Sequence, residues 1–238
     1  MFDQMERQDM GIVIFDLDGT LIDSAPDIRA AGNTVLARHG AAPMDLAEAT
    51  GFIGNGASVL VQRMIAARGL ADDLHPAMLA EFLELYEDAV HLTTLFPGVL
   101  QTLDALAAAG HTLGICTNKP EAPTRAVLHH FGLGDRFGAV FGGDTLTVRK
   151  PDPAPLLACH GALGGGPVLY VGDSEVDAAT ADAARLPFAL FTRGYRKAAV
   201  ETLPHAHAFD DFTALPAIVA AMIQPRSAAA HRTHSAKP

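Results

Sequence analysis

The sequence is poor in the residues that several classes of protein need. Of 238 residues only two are cysteines, none is tryptophan, and 17 are Lys or Arg against 27 acidic residues. Cys116 and Cys159 lie far apart, which excludes a zinc motif and a disulfide framework, and we expect both to be buried. The net charge of −10 and the lack of a basic block argue against nucleic acid as a partner.

The sequence also has no long apolar run, so we expect no membrane partner. The acidic N-terminus lacks the basic and apolar stretches of a signal peptide, which favours a cytoplasmic protein. Hydrophobic residues nonetheless make up 49% of the chain, enough for a full core. The length suits one large domain, or one medium domain with a small companion.

Residues 10–21 form the most informative stretch. A short apolar run rich in β-branched residues ends at Asp16 and Asp18, which predicts a buried strand followed by two carboxylates. Alternate residues of an extended chain point to the same side, so both carboxylates can face one small volume. They would repel each other unless a hard cation such as Mg²⁺ lay between them. Taken alone, the pair is equally consistent with a strand end followed by an acidic turn.

The pattern changes near residue 92. Before that point it is helical, and after it helices and strands alternate, which predicts a parallel sheet with right-handed crossovers. We therefore predict an α/β fold, in which a Rossmann-like parallel-sheet core carries an all-helical cap domain inserted after the first strand. The predicted core is 1–21 and 93–224, the cap is 22–92, and a disordered tail is 225–238.

Local signals place the predicted elements. In the cap, Ser24 should cap the first helix, and residues 51–56 with three glycines should form a loop that a ligand can approach closely. Cap helices are predicted at 24–40, 44–49, 57–68 and 76–91. In the core, strands are predicted at 111–116, 139–141, 167–171 and 188–191, with helices at 99–109, 124–131, 153–162, 177–185 and 212–223.

Polar residues follow the predicted strands in a consistent way. The carboxyl ends of parallel strands share one edge, so we expect these side chains to ring one cavity. Carboxylates, a hydroxyl and a lysine are what phosphoryl transfer to an enzyme carboxylate requires, because an anion attacking an anion needs cations and donors around it. The residues are Asp16, Asp18, Thr117, Asn118, Lys150, Asp173, Ser174 and Asp177.

These four groups of residues, in this order, resemble the motifs of the haloacid-dehalogenase-like hydrolases, in the branch with a helical cap after the first motif. The resemblance covers roughly residues 10–223. It implies that Asp16 is the nucleophile that becomes an aspartyl phosphate. It also implies that Asp18 is the general acid for the leaving alkoxide and then the general base for water.

The resemblance implies roles for the other residues as well. Mg²⁺ would be held by Asp16, Asp173 and the backbone carbonyl of Asp18, and Asp177 with Ser174 would surround and orient this set. The phosphoryl oxygens would be bound by the remaining residues, which are Thr117, the backbone of Asn118, Lys150 and Gly19.

Several branches of the family are disfavoured by single residues. Dehalogenases of the family lack the second aspartate, which is Asp18 here. Phosphonatases use a cap lysine, and no lysine lies between Gly19 and Phe96. Sugar phosphomutases of this type have valine and a cap histidine where this chain has Thr20 and Ile28. Hydrolysis of a phosphomonoester is therefore the favoured reaction.

Residues 52–56 and 191–196 resemble bacterial phosphoglycolate phosphatases. A helix that starts after a glycine loop presents free N–H groups to an anion, so we expect Gly54, Asn55 and Gly56 to bind the substrate. Arg63 on the same helix would supply charge to it, or is equally consistent with a surface helix residue.

The implied function is Mg²⁺-dependent hydrolysis of 2-phosphoglycolate, a small anionic phosphomonoester, to glycolate and phosphate. One alternative is the same chemistry on another small phosphate or pyrophosphate. A third, less favoured hypothesis is a non-catalytic binding protein on this scaffold. The sequence leaves open whether the protein is a monomer or a homodimer.

A few residues call for separate interpretations. Arg185 stands where the family usually has glycine, and a positive φ there would cost on the order of 1 kcal/mol. His205 and His207 have the spacing of a metal-binding pair, but no third ligand is near in sequence, so we interpret them as part of a solvated loop. His231 and His234, in the tail, receive the same interpretation.

Overall fold

The computed structural model describes residues 10–223, so the predicted tail, with His231 and His234, lies outside the described residues. Six of its strands form one parallel sheet, which confirms the predicted α/β fold class. In chain order the strands are β1 (Ile12–Phe15), β2 (Ile22–Asp23), β3 (Thr94–Leu95), β4 (Thr112–Cys116), β5 (Ala139–Phe141), β6 (Val168–Gly172), β7 (Phe188–Phe191) and β8 (His207–Phe209).

The sheet order is β5-β4-β1-β6-β7-β8, which places β1 between two parallel neighbours. Alternate side chains of β1 enter different hydrophobic clusters: Val13 and Phe15 pack on one face of the sheet, and Ile12 and Ile14 on the other. All four are buried, as expected for a strand covered on both faces. Asp16 thus follows a central strand, and its N–H bonds the Val171 carbonyl at 2.8 Å.

Nine α-helices surround or extend this sheet in the described chain. They are α1 (Ala25–Arg38), α2 (Leu46–Phe52), α3 (Ala57–Arg68), α4 (His75–Glu87), α5 (Val99–Ala108), α6 (Glu121–His130), α7 (Ala154–Ala162), α8 (Glu175–Ala184) and α9 (Leu215–Met222). The first four pack on one another around a hydrophobic cluster of their own. In the described part of the chain, no helix combines the length and the apolar character that crossing a membrane requires.

Two short strands connect the four-helix unit to the sheet. β2 and β3 pair antiparallel, Ile22 with Leu95 and Asp23 with Thr94. Nearby, the buried Asp27 carboxylate accepts hydrogen bonds from the N–H groups of Leu92 and Thr93, at 2.9 and 2.7 Å. The first and last residues of the four-helix unit are therefore hydrogen-bonded to each other. We propose that residues 22–92 form the cap domain.

Some predicted boundaries are wrong. α2 starts two residues later than predicted because Asp45 caps it, accepting from the Glu48 N–H at 2.7 Å, and it runs through Gly51 to Phe52. The loop is therefore only residues 53–56. Ser24 occupies the N-cap position of α1 but makes no capping bond, since its hydroxyl donates to Asp18 instead.

Other differences concern helix ends in the core. α6 and α8 begin at Glu121 and Glu175, a few residues before the predicted starts, because their first turns follow Pro120 and the capping Ser174. In the cap, α4 ends at Glu87, short of the predicted end, and the last predicted helix is a 3₁₀ turn followed by α9. β8 was not predicted, and it includes His207.

Candidate active site

Lys150 lies among the residues that follow the C-terminal ends of the parallel strands. Its Nζ donates to Asp16 Oδ1 at 2.9 Å, to Asp177 Oδ1 at 2.7 Å and to the Tyr170 hydroxyl at 2.8 Å. These bonds use all three hydrogens of the ammonium group, and only 3% of Lys150 is exposed. Lys150 is thus fully engaged in fixing the two carboxylates.

The same contacts set the ionisation of these groups. Burial and the charge of Asp177 raise the pKa of Asp16 to about 7, although Lys150 opposes the shift. Burial would also raise the pKa of Asp177, but the charge and hydrogen bond of Lys150 outweigh it and lower the value. Asp177 is therefore the carboxylate that stays ionised beside Lys150, whereas the ionised form of Asp16 is disfavoured.

Asp173 follows β6 and faces Asp16. Its Oδ1 accepts from the Thr20 hydroxyl and its Oδ2 from the Tyr195 N–H, both at 2.6 Å. Burial and the charges of Asp177 and Asp16 raise the pKa of Asp173 well above its ordinary value. Asp173 is thus a fixed carboxylate in a buried site of excess negative charge.

These carboxylates fit a divalent cation. One oxygen each of Asp16, Asp173 and Asp177 lie within 4.8 Å of one another, all in buried residues. Carboxylate oxygens are the ligands that Mg²⁺ prefers. The raised pKa values of Asp16 and Asp173 show that their charged forms are destabilised, and a bound cation would stabilise those forms. Within the described chain this is the group of residues that fits the predicted Mg²⁺.

Asp177 is more fully hydrogen-bonded than the other two. Its Oδ2 accepts from the hydroxyl of Ser174 at 2.6 Å and from the Ser174 N–H at 3.1 Å, while Ser174 Oγ caps α8. Its Oδ1 accepts from Lys150 and Tyr170. These contacts suit a residue that orients the ligand set, the role predicted for Asp177 and Ser174.

Asp18 lies on the side of the site that faces the cap. Its Oδ1 accepts from the Ser24 hydroxyl at 2.6 Å and from Lys119 Nζ at 3.3 Å. Its Oδ2 accepts from the Tyr86 hydroxyl of α4 at 3.4 Å. The predicted proton-transfer residue is therefore held by groups of both the core and the cap.

Lys119 and Tyr86 are not among the predicted site residues. Lys119 is 4% exposed, donates to the Tyr86 hydroxyl, and lies with its Nζ 4.0 Å from the centre of the Tyr86 ring. Burial lowers the pKa of Lys119, and the charge of Asp18 opposes this. Its position directly after Thr117 and Asn118 was an available signal, whereas Tyr86 reads in sequence as one more apolar residue of α4.

Tyr195 was also given no role. Besides its N–H bond to Asp173, its hydroxyl donates to Asp23 Oδ1 at 2.7 Å and accepts from the N–H groups of Ser24 and Ala25. Tyr195 thereby connects Asp173 to the first residues of the cap.

A cleft of about 430 Å³, open solvent included, lies between the strand ends and the cap. Its core wall is polar and its cap wall is mostly apolar. Core residues lining it include Asp16, Asp18, Thr117, Asn118 and Lys119, and cap residues include Ile28, Ile53, Gly54, Gly56, Ala57, Leu60, Phe82 and Tyr86. A second cleft of about 370 Å³ shares Asp16 and Asp18 and reaches Asp173 and Lys197.

The predicted phosphate-binding residues after β4 also meet the cap. Thr117 lines the cleft, and its Oγ1 accepts from the Lys119 N–H at 3.2 Å. The Asn118 amide donates to the carbonyl of Gly54 in the cap loop at 3.0 Å and to that of Lys150 at 2.9 Å. Its Oδ1 is buried and has no partner in residues 10–223.

Two predicted substrate-binding residues have structural partners. Arg63 donates to the Phe52 carbonyl at 2.8 Å and to Asn55 Oδ1 at 2.7 Å, and it lines neither cleft. Its guanidinium therefore braces the cap loop. Gly19 has a φ of +88°, and a Cβ there would lie 2.6 Å from Asp173 Oδ2, so close packing on Asp173 explains this glycine.

Comparison of the sequence with known proteins identifies a family and close relatives. The family profile described as haloacid dehalogenase-like hydrolase matches residues 13–191. A phosphoglycolate phosphatase of Cereibacter sphaeroides is 55% identical over 207 residues, which are 86% of this chain and 95% of that protein. One from Rhodobacter capsulatus is 46% identical over 87% of this chain and 95% of that protein.

Solved structures show the same relationship. The crystal structure of a predicted phosphoglycolate phosphatase from Haemophilus somnus 129PT is 32% identical, with a TM-score of 0.83. The match covers 89% of this chain and 99% of that one. The predictions of family and of hydrolytic activity are therefore confirmed, and the chain belongs to the haloacid dehalogenase-like hydrolase family.

Proposed function

We propose that the protein is a Mg²⁺-dependent phosphatase that hydrolyses 2-phosphoglycolate to glycolate and phosphate. The observation that carries the proposal is that Asp16 and Asp18 line the same cleft. Lys150 donates a hydrogen bond to Asp16, and Tyr86 of the cap donates one to Asp18. The substrate is suggested by two relatives named phosphoglycolate phosphatase that are 55% and 56% identical to this chain.

In the proposed reaction, Asp16 attacks phosphorus and the bond from phosphorus to the ester oxygen breaks. Asp18 gives its proton to that oxygen, which leaves as the alcohol. Water then attacks the aspartyl phosphate, Asp18 takes a proton from the water, and phosphate leaves with Asp16 restored. The bond from Lys150 holds Asp16 in place and opposes its protonation.

Mg²⁺ would be held by Asp16, Asp173 and the backbone carbonyl of Asp18, with Asp177 and Ser174 orienting the set. When bound, the ion supplies positive charge against the phosphoryl oxygens and the buried carboxylates. Thr117 and the Asn118 N–H would bind the phosphoryl oxygens. Gly19, whose N–H donates to the Ile22 carbonyl at 2.8 Å, and Lys150 would join them by releasing one of their present bonds. The excess negative charge of the buried carboxylates supports this assignment.

The residues of the cap that line the cleft favour a small anionic substrate. The apolar cap wall is lined by Ile53, Leu60 and Phe82, which offer no polar group to a sugar or a nucleoside. The start of α3, at Gly56 and Ala57, lines the same cleft and has no side-chain cap, so its N–H groups are available to an anion.

The experiment is phosphate release from a panel of phosphomonoesters and pyrophosphate at one Mg²⁺ concentration, with and without a chelator. We expect 2-phosphoglycolate to have the highest kcat/KM, no turnover in chelator, and a loss of at least about 10³-fold in Asp16→Asn. Another substrate preferred by more than about tenfold, roughly 1.4 kcal/mol, would show that the substrate is different. Ligand binding without turnover would favour the non-catalytic hypothesis. The cytoplasmic location and the oligomeric state stay predictions.

A further inference from the structure

We propose that Lys119 binds the carboxylate of the substrate and so determines which phosphomonoester is hydrolysed. This inference rests on the proposed function. Three observations support it, namely the position of Lys119 relative to Asp18, its unused hydrogen-bonding capacity, and the placement of the other cations away from the first cleft.

Position is the first observation. As general acid, Asp18 must contact the ester oxygen of the leaving group. Lys119 Nζ lies 3.3 Å from Asp18 Oδ1, so it lies on the leaving-group side of the site. In 2-phosphoglycolate the carboxylate carbon is only two bonds from the ester oxygen. A carboxylate attached there would therefore lie within reach of the Lys119 ammonium group.

Unused capacity is the second observation. Lys119 lines the cleft and donates to Asp18 and to Tyr86, which leaves one ammonium hydrogen with no acceptor in the described chain. The side chain is also almost fully buried, so its charge is weakly screened. The Tyr86 hydroxyl and ring hold the ammonium group from the cap side, which makes Tyr86 a positioning residue.

The placement of the other cations is the third observation: Arg149 is exposed and lies beside Gly56, but it does not line the first cleft. The hydrogens of Lys150 are all used by Asp16, Asp177 and Tyr170. Arg63 is bonded to the cap loop and does not line the cleft. Lys197 is exposed, donates to the Gly51 carbonyl, and lines the second cleft with Asp173. Lys119 is the one cation among the described residues that line the first cleft.

The test compares 2-phosphoglycolate with ethyl phosphate, which has a methyl group in place of the carboxylate. The measured quantity is the ratio of kcat/KM for the two substrates. We expect Lys119→Met to lower this ratio by about 30-fold or more, because a charged hydrogen bond is lost only with the first substrate. Lys119→Arg, which keeps the charge, should recover part of the ratio.

Two controls keep the test decisive. Arg125→Met removes the same charge from the exposed face of α6 and should leave the ratio unchanged. Lys119→Gln keeps a hydrogen-bond donor without the charge and serves if the methionine variant does not fold, as thermal denaturation will show. It should give the same fall in ratio.

The outcomes separate the two proposals. A wild-type ratio near one removes both the proposed substrate and this inference. A high wild-type ratio that persists within about threefold in Lys119→Met and Lys119→Gln removes this inference alone. The same result follows if the variants lose activity equally on both substrates, because Lys119 would then act through Asp18 and not through the carboxylate.

Discussion

The two sides of the cleft are held in different ways. On the core side, each carboxylate oxygen of Asp173 and Asp177 has its own donor, supplied by other strand ends and loops of the sheet domain. On the cap side, Asp18 is held by Ser24, Lys119 and Tyr86, which come from the cap boundary, the core and α4. The core side is one buried hydrogen-bond network, which Tyr195 links to the start of the cap, whereas the contacts of Asp18 depend on how the core and the cap pack together.

This difference separates the nucleophile from the groups that surround the leaving group. The buried ion pairs of Lys150 with Asp16 and Asp177 include no cap residue, so the nucleophile can keep its environment while the cap varies. Groups around Asp18 include Tyr86 and lie next to the cap loop at Gly54, so a change in the cap alters what surrounds the leaving group. Substitutions on the two sides should therefore have distinguishable effects.

Among substitutions outside the reacting residues, the largest expected effect is on the core side, at Gly194. A Cβ there would lie 2.3 Å from Asp173 Cβ and Oδ2 and 2.3 Å from the Gly19 carbonyl, none of which can move freely. Gly194→Ala should therefore displace Asp173 and lower kcat/KM by about 100-fold for every substrate, since an error of about 1 Å at a catalytic site costs that much. Steady-state kinetics on 2-phosphoglycolate and ethyl phosphate measure this.

The matched control is Gly161→Ala in α7, where an added Cβ meets no atom within 4 Å. It should leave kinetics unchanged and keep or slightly raise stability, because alanine favours a helix. If Gly194→Ala changed one substrate much more than the other, the core network would not be independent of substrate choice. Substitutions on the two sides of the cleft would then have the same kind of effect.

Residues on the core side could be predicted because their signals are local. A strand that ends in two aspartates, a lysine before a helix and an Asp-Ser pair each follow or precede a recognisable element, and parallel topology brings them together. Partners such as Tyr170 and Tyr195 could not be predicted, since their contacts depend on the packing of distant segments. Arg185, which stands where the family usually has glycine, has a φ of +56°.

The contacts of cap residues are harder to predict from the sequence, and the predicted substrate-binding role of Arg63 stays a prediction. The family resemblance gave Arg63 a substrate-binding role because its charge and helix suggested one, yet its guanidinium bonds Phe52 and Asn55. The importance of Tyr86 depends on how the cap packs on the core, which no pattern within α4 reveals. Sequence periodicity places a residue on a face of its own helix but does not say which distant residue that face meets.

On the cap side, a substitution at Arg63 tests whether its guanidinium braces the loop or contacts the substrate. Arg63→Met should loosen the loop at 53–56 and raise KM for 2-phosphoglycolate and ethyl phosphate by a similar factor of about 3–10, the value of one or two hydrogen bonds. The value of kcat should change less than about threefold. Arg38→Met, which removes an exposed charge from α1 and its ion pair with Glu81, is the matched control and should leave both constants unchanged.

A rise in KM confined to 2-phosphoglycolate would instead show that Arg63 contacts the substrate carboxylate, as the resemblance first suggested. In that case Arg63 would have to leave Phe52 and Asn55 when substrate binds. The ratio measured for the Lys119 variants gives the reference value for such a direct contact. The two residues are thus distinguished by the same pair of substrates.

The smallest effect concerns stability on the core side, away from the site. Arg185 ends α8 in the left-handed conformation, which costs a residue with a side chain about 1–2 kcal/mol. Arg185→Gly removes this strain but adds freedom to the unfolded chain, so we expect a net gain of about 0.5–1 kcal/mol, or a rise in Tm of about 1–4 °C. Arg185→Ala keeps the strain and should give no such rise in thermal denaturation. Because Asp177 lies at the opposite end of α8, kcat/KM should be unchanged in both variants; a change in activity would mean that strain at one end of this helix reaches the carboxylates at the other.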